Sequence, residues 1–291
     1  MTLSFAVGDL RIDRIIEQEL PGFDPFQFLP TLTPELLEQN RHWLEPLSLD
    51  PATGLFIFPM QSYVIRTGRH TILVDTCVGN HKDRPTRPAW HQKTDTTYMD
   101  ALARAGLSVE DIDYVMCTHL HPDHVGWNTW LLDGRWVPTF PNAKYLFSKK
   151  ELAHWTARNA EAPVPYMVDS VLPVVAAGQV VEVASDHAFD DTLHLEPTPG
   201  HTPDHFAVHL TSNGAEAVMI GDMIHSLLQC RHPDLIAAPD VDPEQAKATR
   251  IAVMDKYCET DTLICSAHFR SPSIGHFVRW GEAFDFQFRQ A

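Results

Sequence analysis

Three histidines and an aspartate lie within six residues in the stretch Thr118-His119-Leu120-His121-Pro122-Asp123-His124. This stretch follows the apolar run 114–117, which predicts a short buried strand. Alternate side chains of an extended chain share a face, so His119 and His121 can point at one spot. The proline favours a stiff turn, which carries the aspartate and the last histidine to a second spot nearby. Neutral imidazole and carboxylate are the usual ligands of zinc and similar ions, so the pattern indicates a metal site.

The motif resembles the metal-binding motif of the metallo-β-lactamase superfamily, and the other segments of that family occur here in the same order. Each places a polar residue after an apolar run or a glycine turn: Asp75, His201, Asp222 and His268. Together with the histidine motif, the segments cover residues 61–276. The resemblance implies an α/β fold, the four-layer αβ/βα sandwich (metallo-β-lactamase fold). We expect residues 1–291 to form a single metallo-hydrolase domain.

The resemblance also implies a dinuclear centre of two divalent metal ions, with zinc as the expected metal. Its ligands would form two sets and a bridge: His119, His121 and His201 for one ion, Asp123, His124 and His268 for the other, and Asp222 between them. Two metals about 3.5–4 Å apart can share a hydroxide, lower its pKa toward neutrality and polarise the substrate's carbonyl or phosphoryl oxygen. Asp123 and Asp222 are therefore expected to serve catalysis as well as metal binding. Asp75 would accept a ring N–H from a ligand and fix its tautomer, unless it does no more than end a strand.

Two further residues are expected to act on the substrate. His225 lies three residues after Asp222, where acyl-homoserine lactonases place a tyrosine near the substrate. Its imidazole could donate a hydrogen bond to the developing oxyanion or protonate the leaving alkoxide. The alternative is a supporting hydrogen bond to a ligand or, through Gln229, to the loop. Trp127 stands where the family commonly has glycine or asparagine, which predicts a narrow, aromatic mouth of the substrate pocket.

The segments around Asp222 and His268 resemble the methyl parathion hydrolase group, and quorum-quenching lactonases share the ligand set. We therefore expect an enzyme that hydrolyses a small ester or lactone, with a metal-bound hydroxide as nucleophile. A phosphotriester hydrolase is the alternative within this class, and a redox or non-catalytic metal-binding protein on the same fold is the alternative from another class. The chain has no Gly-x-Ser-x-Gly elbow and no nucleotide-binding glycine loop. Cys117 could supply a thiol nucleophile, but we expect it to be a core residue.

Composition narrows the partners and the compartment. The 291 residues carry a formal net charge of −16 without a basic run, which argues against nucleic acid because phosphate binding needs clustered Lys and Arg. The N-terminal residues are too polar for a signal peptide, and no apolar run approaches the roughly 20 residues of a membrane helix. The five cysteines mostly lie in apolar segments, which suits a reducing compartment. We expect a cytoplasmic protein with a small-molecule substrate and no membrane or nucleic-acid partner, and homodimer formation stays an open option.

The elements that must position these residues can be predicted from periodicity and capping. Two sheets with helices outside them are expected, with strands at 10–20, 62–66, 71–74, 114–117, 144–147, 180–183, 192–196, 206–210, 217–220 and 262–267. Helices are expected to start near Thr33, Thr96, Ser148 and Asp242. Residues 21–59, rich in proline and aromatics, form an arm that could be a lid or a dimer contact. The irregular, proline-containing residues 158–178 are a second lid candidate.

Overall fold

The computed structural model describes residues 4–289, which form a mixed α/β structure. Its strands are β1 Ser4–Val7, β2 Leu10–Phe23, β3 Phe56–Arg66, β4 Thr71–Val74, β5 Tyr114–Met116, β6 Thr129–Leu132, β7 Arg135–Pro138, β8 Lys144–Ser148, β9 Val180–Val183, β10 Leu193–Pro197, β11 Phe206–Ser212, β12 Ala215–Met219, β13 Leu263–Cys265, β14 Ile274–Trp280 and β15 Ala283–Phe288. Every strand predicted from the sequence is present; β3 begins six residues earlier than predicted, and the other strand ends shift by at most three residues.

The α-helices are α1 Pro25–Phe28, α2 Pro34–Leu44, α3 Thr97–Arg104, α4 Lys149–Glu161, α5 Leu172–Ala176, α6 Leu228–Arg231 and α7 Pro243–Tyr257. A π-helix, Met167–Val171, directly precedes α5. Three predicted caps are present, each accepting a hydrogen bond from the backbone N–H three residues on: Thr33 (3.2 Å), Ser148 (3.3 Å) and Asp242 (3.0 Å). Such caps satisfy N–H groups that no helical carbonyl can reach, which explains where these helices begin. Within residues 4–289, no helix has both the length and the apolar character needed to cross a membrane.

Two compact units make up the described chain, the first with residues 4–18 and 60–187, the second with residues 19–59 and 188–289. The first unit carries a seven-stranded sheet of order β1-β2-β3-β4-β5-β8-β9, of which β2 and β3 extend beyond the unit, and the β6-β7 hairpin. The second unit carries a six-stranded sheet of order β10-β11-β12-β13-β14-β15. The expectation of two main sheets is confirmed, and the single domain over residues 1–291 stays a prediction.

Each unit contains a parallel strand pair that ends just before predicted site residues. In the first unit β4 and β5 are parallel, with Val74 opposite Met116. In the second unit β12 and β13 are parallel, with Met219 opposite Cys265. All four of these residues are almost fully buried, so burial of apolar side chains holds both pairs in register. Because the strands of a parallel pair end at the same edge of a sheet, the residues that follow them are brought together.

The structure corrects the sequence prediction for residues 158–178, which are not irregular. Helix α4 runs on to Glu161, and the π-helix and α5 occupy residues 167–176. Pro173 stands in the first turn of α5, where its missing N–H leaves no helical hydrogen bond unmade. Proline here starts a helix rather than marking a loop.

Candidate metal centre

The histidine loop, residues 117–125, is pinned to the end of β4 by one carboxylate in the first unit. Oδ1 of Asp75 accepts the backbone N–H of Thr118 at 2.8 Å, and Oδ2 lies 2.9 Å from Nδ1 of His124. The backbone N–H of Thr76 donates to the carbonyl of His124 at 2.8 Å. Asp75 itself has a left-handed φ of 59°, which aspartate tolerates better than most residues. The loop is therefore fixed at both its start and its end.

The imidazoles of the histidine loop are buried and crowded. The ring centroid of His119 lies 4.6 Å from that of His121 and 4.1 Å from that of His124. Oδ2 of Asp123 lies 3.9 Å from Nε2 of His124. A neutral imidazole is the form that binds a metal ion. The first unit thus brings its four predicted ligands together.

Asp222 lies at the centre of the corresponding group in the second unit. It follows β12 in the short turn Gly221–Met223, and Gly221 permits the turn with a φ of 50°. Its Oδ1 lies 2.9 Å from Nε2 of His268, and its Oδ2 lies 3.4 Å from Nε2 of His201. The two oxygens of one carboxylate therefore face two different histidines, the arrangement that a bridging ligand needs.

The histidines of the second unit are oriented through Nδ1. Nδ1 of His201 lies 2.9 Å from Oδ1 of Asp240, and Nδ1 of His268 lies 3.0 Å from the carbonyl of Pro59. A carbonyl can only accept, so Nδ1 of His268 must carry a proton, and in the neutral ring Nε2 then keeps a lone pair. Burial raises the pKa of Asp240, while the nearby charges of His225 and Arg250 lower it. Sequence reasoning anticipated such a partner only in Asp75, on the first unit.

A further histidine supports the backbone of Asp222. Nε2 of His205 accepts the backbone N–H of Asp222 at 3.0 Å, and its Nδ1 lies 2.7 Å from Oγ1 of Thr198. Because Nε2 accepts, the proton of a neutral ring sits on Nδ1 and is donated to the threonine. The sequence analysis missed this residue, although a second histidine close behind His201 was a visible signal.

His225 is buried beside Asp222. Its Nε2 lies 3.1 Å from Oδ2 of Asp222, and its backbone N–H donates to Oε1 of Gln229 at 3.0 Å. Its ring packs edge-on to Phe28 at 5.0 Å and lies parallel to His268 at 5.4 Å between centroids. The expected contacts with a ligand and with Gln229 are thus both present, and the catalytic role of His225 stays a prediction.

Trp127 makes the contacts of a core side chain. It is 4 % exposed, stacks on Tyr98 with 5.2 Å between centroids, and donates its indole N–H to Oε1 of Glu17 at 2.7 Å. Glu17 also accepts the backbone N–H of Val78 and pairs with Lys93, each at 2.8 Å. Burial raises the pKa of Glu17, and the charge of Lys93 opposes that rise. The assignment of Trp127 to the substrate pocket stays a prediction.

Cys117 is buried within the first unit. Its thiol lies 3.7 Å from the carbonyl of His124 and 3.7 Å from Oδ1 of Asn128. Burial, with the charge of Asp75, raises the pKa of this thiol well above its ordinary value. A thiolate nucleophile is therefore disfavoured here, and the expectation of a core residue is confirmed.

Aromatic side chains of the arm, residues 21–59, pack around the histidines of the second unit. The rings of Phe23, Phe28 and Phe58 lie 4.9–5.5 Å from one another. Phe58 also lies 5.7 Å from the ring of His268. The arm therefore forms an apolar wall beside that ligand, and its role as a lid or a dimer contact stays a prediction.

Comparison with known proteins identifies a family and two relatives of similar sequence. The family model described as the metallo-beta-lactamase superfamily matches residues 58–268. A beta-lactamase-like protein 2 homolog of Caenorhabditis elegans is 30% identical over 168 residues, which are 56% of this chain and 43% of the relative. An N-acyl homoserine lactonase of a Bacillus species is 24% identical over 178 residues, 57% of this chain and 64% of the relative. The chain thus spans less than two thirds of the length of either relative.

Solved structures resemble the chain over nearly its whole length. The dizinc quorum-quenching lactonase AidC, in complex with the product N-hexanoyl-L-homoserine, has a TM-score of 0.81 at 19% identity and covers 100% of this chain and 98% of its own. The hydrolase AbOPH of the beta lactamase superfamily has a TM-score of 0.79 at 22% identity, with 99% and 98% covered. At these identities the likeness is one of fold.

Proposed function

The chain belongs to the metallo-beta-lactamase superfamily and has its fold, and from this premise we propose that it hydrolyses a small ester or lactone at a centre of two divalent metal ions. The observation that carries the proposal is the carboxylate of Asp222, whose two oxygens face two different histidines. Oδ1 faces His268, a predicted ligand of one ion, and Oδ2 faces His201, a predicted ligand of the other, in addition to the nearer His225. The dizinc lactonase AidC supports the same interpretation through its fold.

The ions would be held by two groups that share Asp222: His119, His121 and His201, and Asp123, His124 and His268. The donor chemistry fits, because imidazoles with Nδ1 partners and carboxylates are the ligands that zinc and similar ions take. When bound, two divalent ions would lower the pKa of a water molecule and polarise the carbonyl oxygen of the substrate. Zinc as the metal and the cytoplasm as the compartment stay predictions.

The chain's own residues would orient and protonate the reacting groups. Asp75 and Asp240 hold His124 and His201 in fixed orientations, which sets where their Nε2 atoms point. His225 offers its Nε2 to Asp222, and its Nδ1 is buried with no hydrogen-bond partner among residues 4–289. That Nδ1 is the ring atom left to meet the leaving oxygen of the substrate, where it would hold or release a proton.

Metal analysis combined with a substrate panel tests the proposal. The purified protein is loaded with zinc or manganese, its metal content is measured, and it is assayed with 4-nitrophenyl esters, N-acyl homoserine lactones and paraoxon. We expect two metals per chain and hydrolysis of esters or lactones. Asp222→Ala should lower both metal content and turnover, whereas the control Cys117→Ser should retain both. One metal or none in folded, reconstituted protein contradicts the dinuclear centre.

The same panel separates the alternatives. If paraoxon is turned over faster than any ester or lactone, the protein is a phosphotriester hydrolase. Two bound metals without hydrolysis of any compound favour the redox or non-catalytic metal protein, which cyclic voltammetry of the iron- or manganese-loaded protein then examines.

A further inference from the structure

The π-helix Met167–Val171 is an unusual element that directly follows Tyr166, a neighbour of the predicted ligand His121. π-helices are rare, mostly single turns, and frequently occur at functional sites. This one lies in the segment 158–178 that the sequence suggested as a lid, and four of its five side chains are buried, all but that of Val168. The segment from residue 162 to residue 176 is called the π segment below.

A buried ion pair holds the side chain of Asp169 in the π-helix. Both carboxylate oxygens accept from the guanidinium of Arg84, at 2.8 Å and 2.9 Å, and Oδ1 also accepts from the hydroxyl of Ser170 at 2.6 Å. The exposed fractions of the two charged side chains are 8% for Arg84 and 9% for Asp169. A forked pair of this kind fixes direction as well as distance.

A second basic side chain holds the main chain of the same residue. Nζ of Lys82, fully buried, donates to the carbonyl of Asp169 at 3.1 Å and to Oγ1 of Thr129 at 2.7 Å. The ammonium also lies 3.7 Å from the ring centre of Trp136, a favourable cation–π distance. Two buried basic side chains therefore hold one residue of the π-helix, Arg84 by its carboxylate and Lys82 by its carbonyl.

The residue directly before the π-helix, Tyr166, lies beside a predicted metal ligand. Its ring centroid is 6.4 Å from that of His121 and 5.4 Å from that of Trp155. Trp155 in turn lies 5.4 Å from His121 and is fixed by donating its indole N–H to Oε1 of Glu151 at 2.6 Å. Tyr166 is only partly buried, so a bound molecule can contact part of its side chain.

We propose that the π segment is a fixed wall of the substrate site, that Tyr166 is a specificity-determining residue on it, and that the Arg84–Asp169 pair positions this wall. The inference rests on the proposed function, because it assigns the wall to the substrate of that same site. The aromatic edges of Tyr166 and Trp155 fit an apolar group, so the wall contacts the acyl chain or aryl group of the ester or lactone. The buried pair acts through the backbone and touches no substrate.

The specificity role is tested with 4-nitrophenyl esters of increasing acyl length, from acetate to octanoate. Tyr166→Ala is expected to lower kcat/KM for the hexanoate and octanoate about tenfold, mainly through KM, and to leave the acetate within about twofold. Tyr166→Phe should keep the parent's dependence of kcat/KM on acyl length, because the ring and not the hydroxyl forms the wall. Val168→Ala, a change of an exposed side chain on the same π-helix, is the matched control and should match the parent.

The positioning role is tested with Asp169→Asn and with Arg84→Lys, which keeps the charge but loses the fork. Both are expected to reproduce the selective loss for long acyl chains at unchanged metal content, and Arg84→Lys should show the smaller effect. Hydrogen exchange supplies a readout independent of activity. Residues 164–176 should exchange slowly in the parent protein and faster in Asp169→Asn, whereas a mobile lid would exchange fast in both.

Failure of the proposed function and failure of the wall can be told apart. If no ester or lactone is cleaved, binding of a non-hydrolysable probe, the lactam analogue of N-hexanoyl homoserine lactone, is measured by calorimetry. Weaker binding to Tyr166→Ala than to Val168→Ala then still supports the wall. Unchanged acyl-length profiles and probe affinities in folded Tyr166→Ala and Asp169→Asn overturn it.

Discussion

Replacing Asp75 and Asp240 by asparagine, singly and together, should weaken the two proposed metal positions one at a time. Asp75 holds His124, which belongs to one proposed ligand group, and Asp240 holds His201, which belongs to the other. Asparagine keeps the size of the side chain and tolerates the left-handed backbone of Asp75. It loses the negative charge that fixes the ring N–H, so each variant perturbs one ligand without removing it.

The expected magnitude follows from these contacts. Loss of such an outer partner typically costs about 10–100-fold in metal affinity, or roughly 1.4–2.7 kcal/mol. In the Asp75→Asn variant the amide oxygen could still accept the backbone N–H of Thr118, which Asp75 accepts at 2.8 Å. The metal-free variant should therefore lose only about 1 kcal/mol of unfolding free energy. The loss of metal-binding free energy should therefore exceed the loss of unfolding free energy of the metal-free protein.

The assay is a zinc titration of metal-free protein against a chromophoric chelator, which yields two stepwise binding constants. Each single variant should weaken one step, and the double variant should weaken both. Asp50→Asn is the control, because that carboxylate accepts hydrogen bonds from Thr53 in an exposed turn. If the double variant retains one step with the parent's constant, the two carboxylates serve the same ion and the assignment of ligands to two groups is wrong.

Three further predictions concern residues around the site and in the core. His225→Ala at full metal content should lower turnover by about tenfold or more; retained turnover rules out catalysis, and lost metal would show that His225 supports Asp222. Trp127→Phe removes the hydrogen bond to buried Glu17 and should lower the unfolding free energy in urea by about 1–3 kcal/mol; unchanged preference among ester lengths would contradict a pocket role for Trp127. Burial lowers the pKa of Lys82 to about 7 from an ordinary 10.5. Between pH 7 and pH 10.5 this amine is therefore more protonated in the unfolded chain than in the folded protein, so the free energy of unfolding rises with pH. The unfolding free energy of the parent relative to Lys82→Met should rise by up to about 1.4 kcal/mol per pH unit from about pH 7.5 to 9.5, and a flat difference would refute the lowered pKa.

The sequence was most informative where chemistry and local pattern coincide. The histidine loop could be placed directly after β5 because three local signals fall within a few residues. They are an apolar run, the alternation of His119 and His121, and a proline. Asp222 and His268 were found in the same way, each after a short apolar strand. Helices α2, α4 and α7 were predicted from their caps, which are local hydrogen bonds.

The features that the sequence did not reveal depend on contacts distant along the chain. Asp240 lies 39 residues from His201 in a loop without periodicity, and nothing local marks it as a partner. The partner of His268 is the backbone carbonyl of Pro59, 209 residues away, and a backbone group cannot be recognised from the residue type. Strands β14 and β15 did carry a signal, since Phe284, Phe286 and Phe288 alternate in the second of them, and it was overlooked. The π-helix shows no capping residue or periodicity, so the prolines on either side of it, Pro163, Pro165 and Pro173, were interpreted as a loop.

The π-helix also has an evolutionary meaning. A π turn is what remains when one residue is inserted into an α-helix without a change at either end, and every residue of an α-helix rotates the chain by about 100°. Deleting one residue between Tyr166 and the anchored Asp169, such as the exposed Val168, would therefore turn Tyr166 away from His121, and a neighbouring side chain would take its place. Substrate preference could thus change by a single codon gained or lost, while every proposed metal ligand stayed where it is.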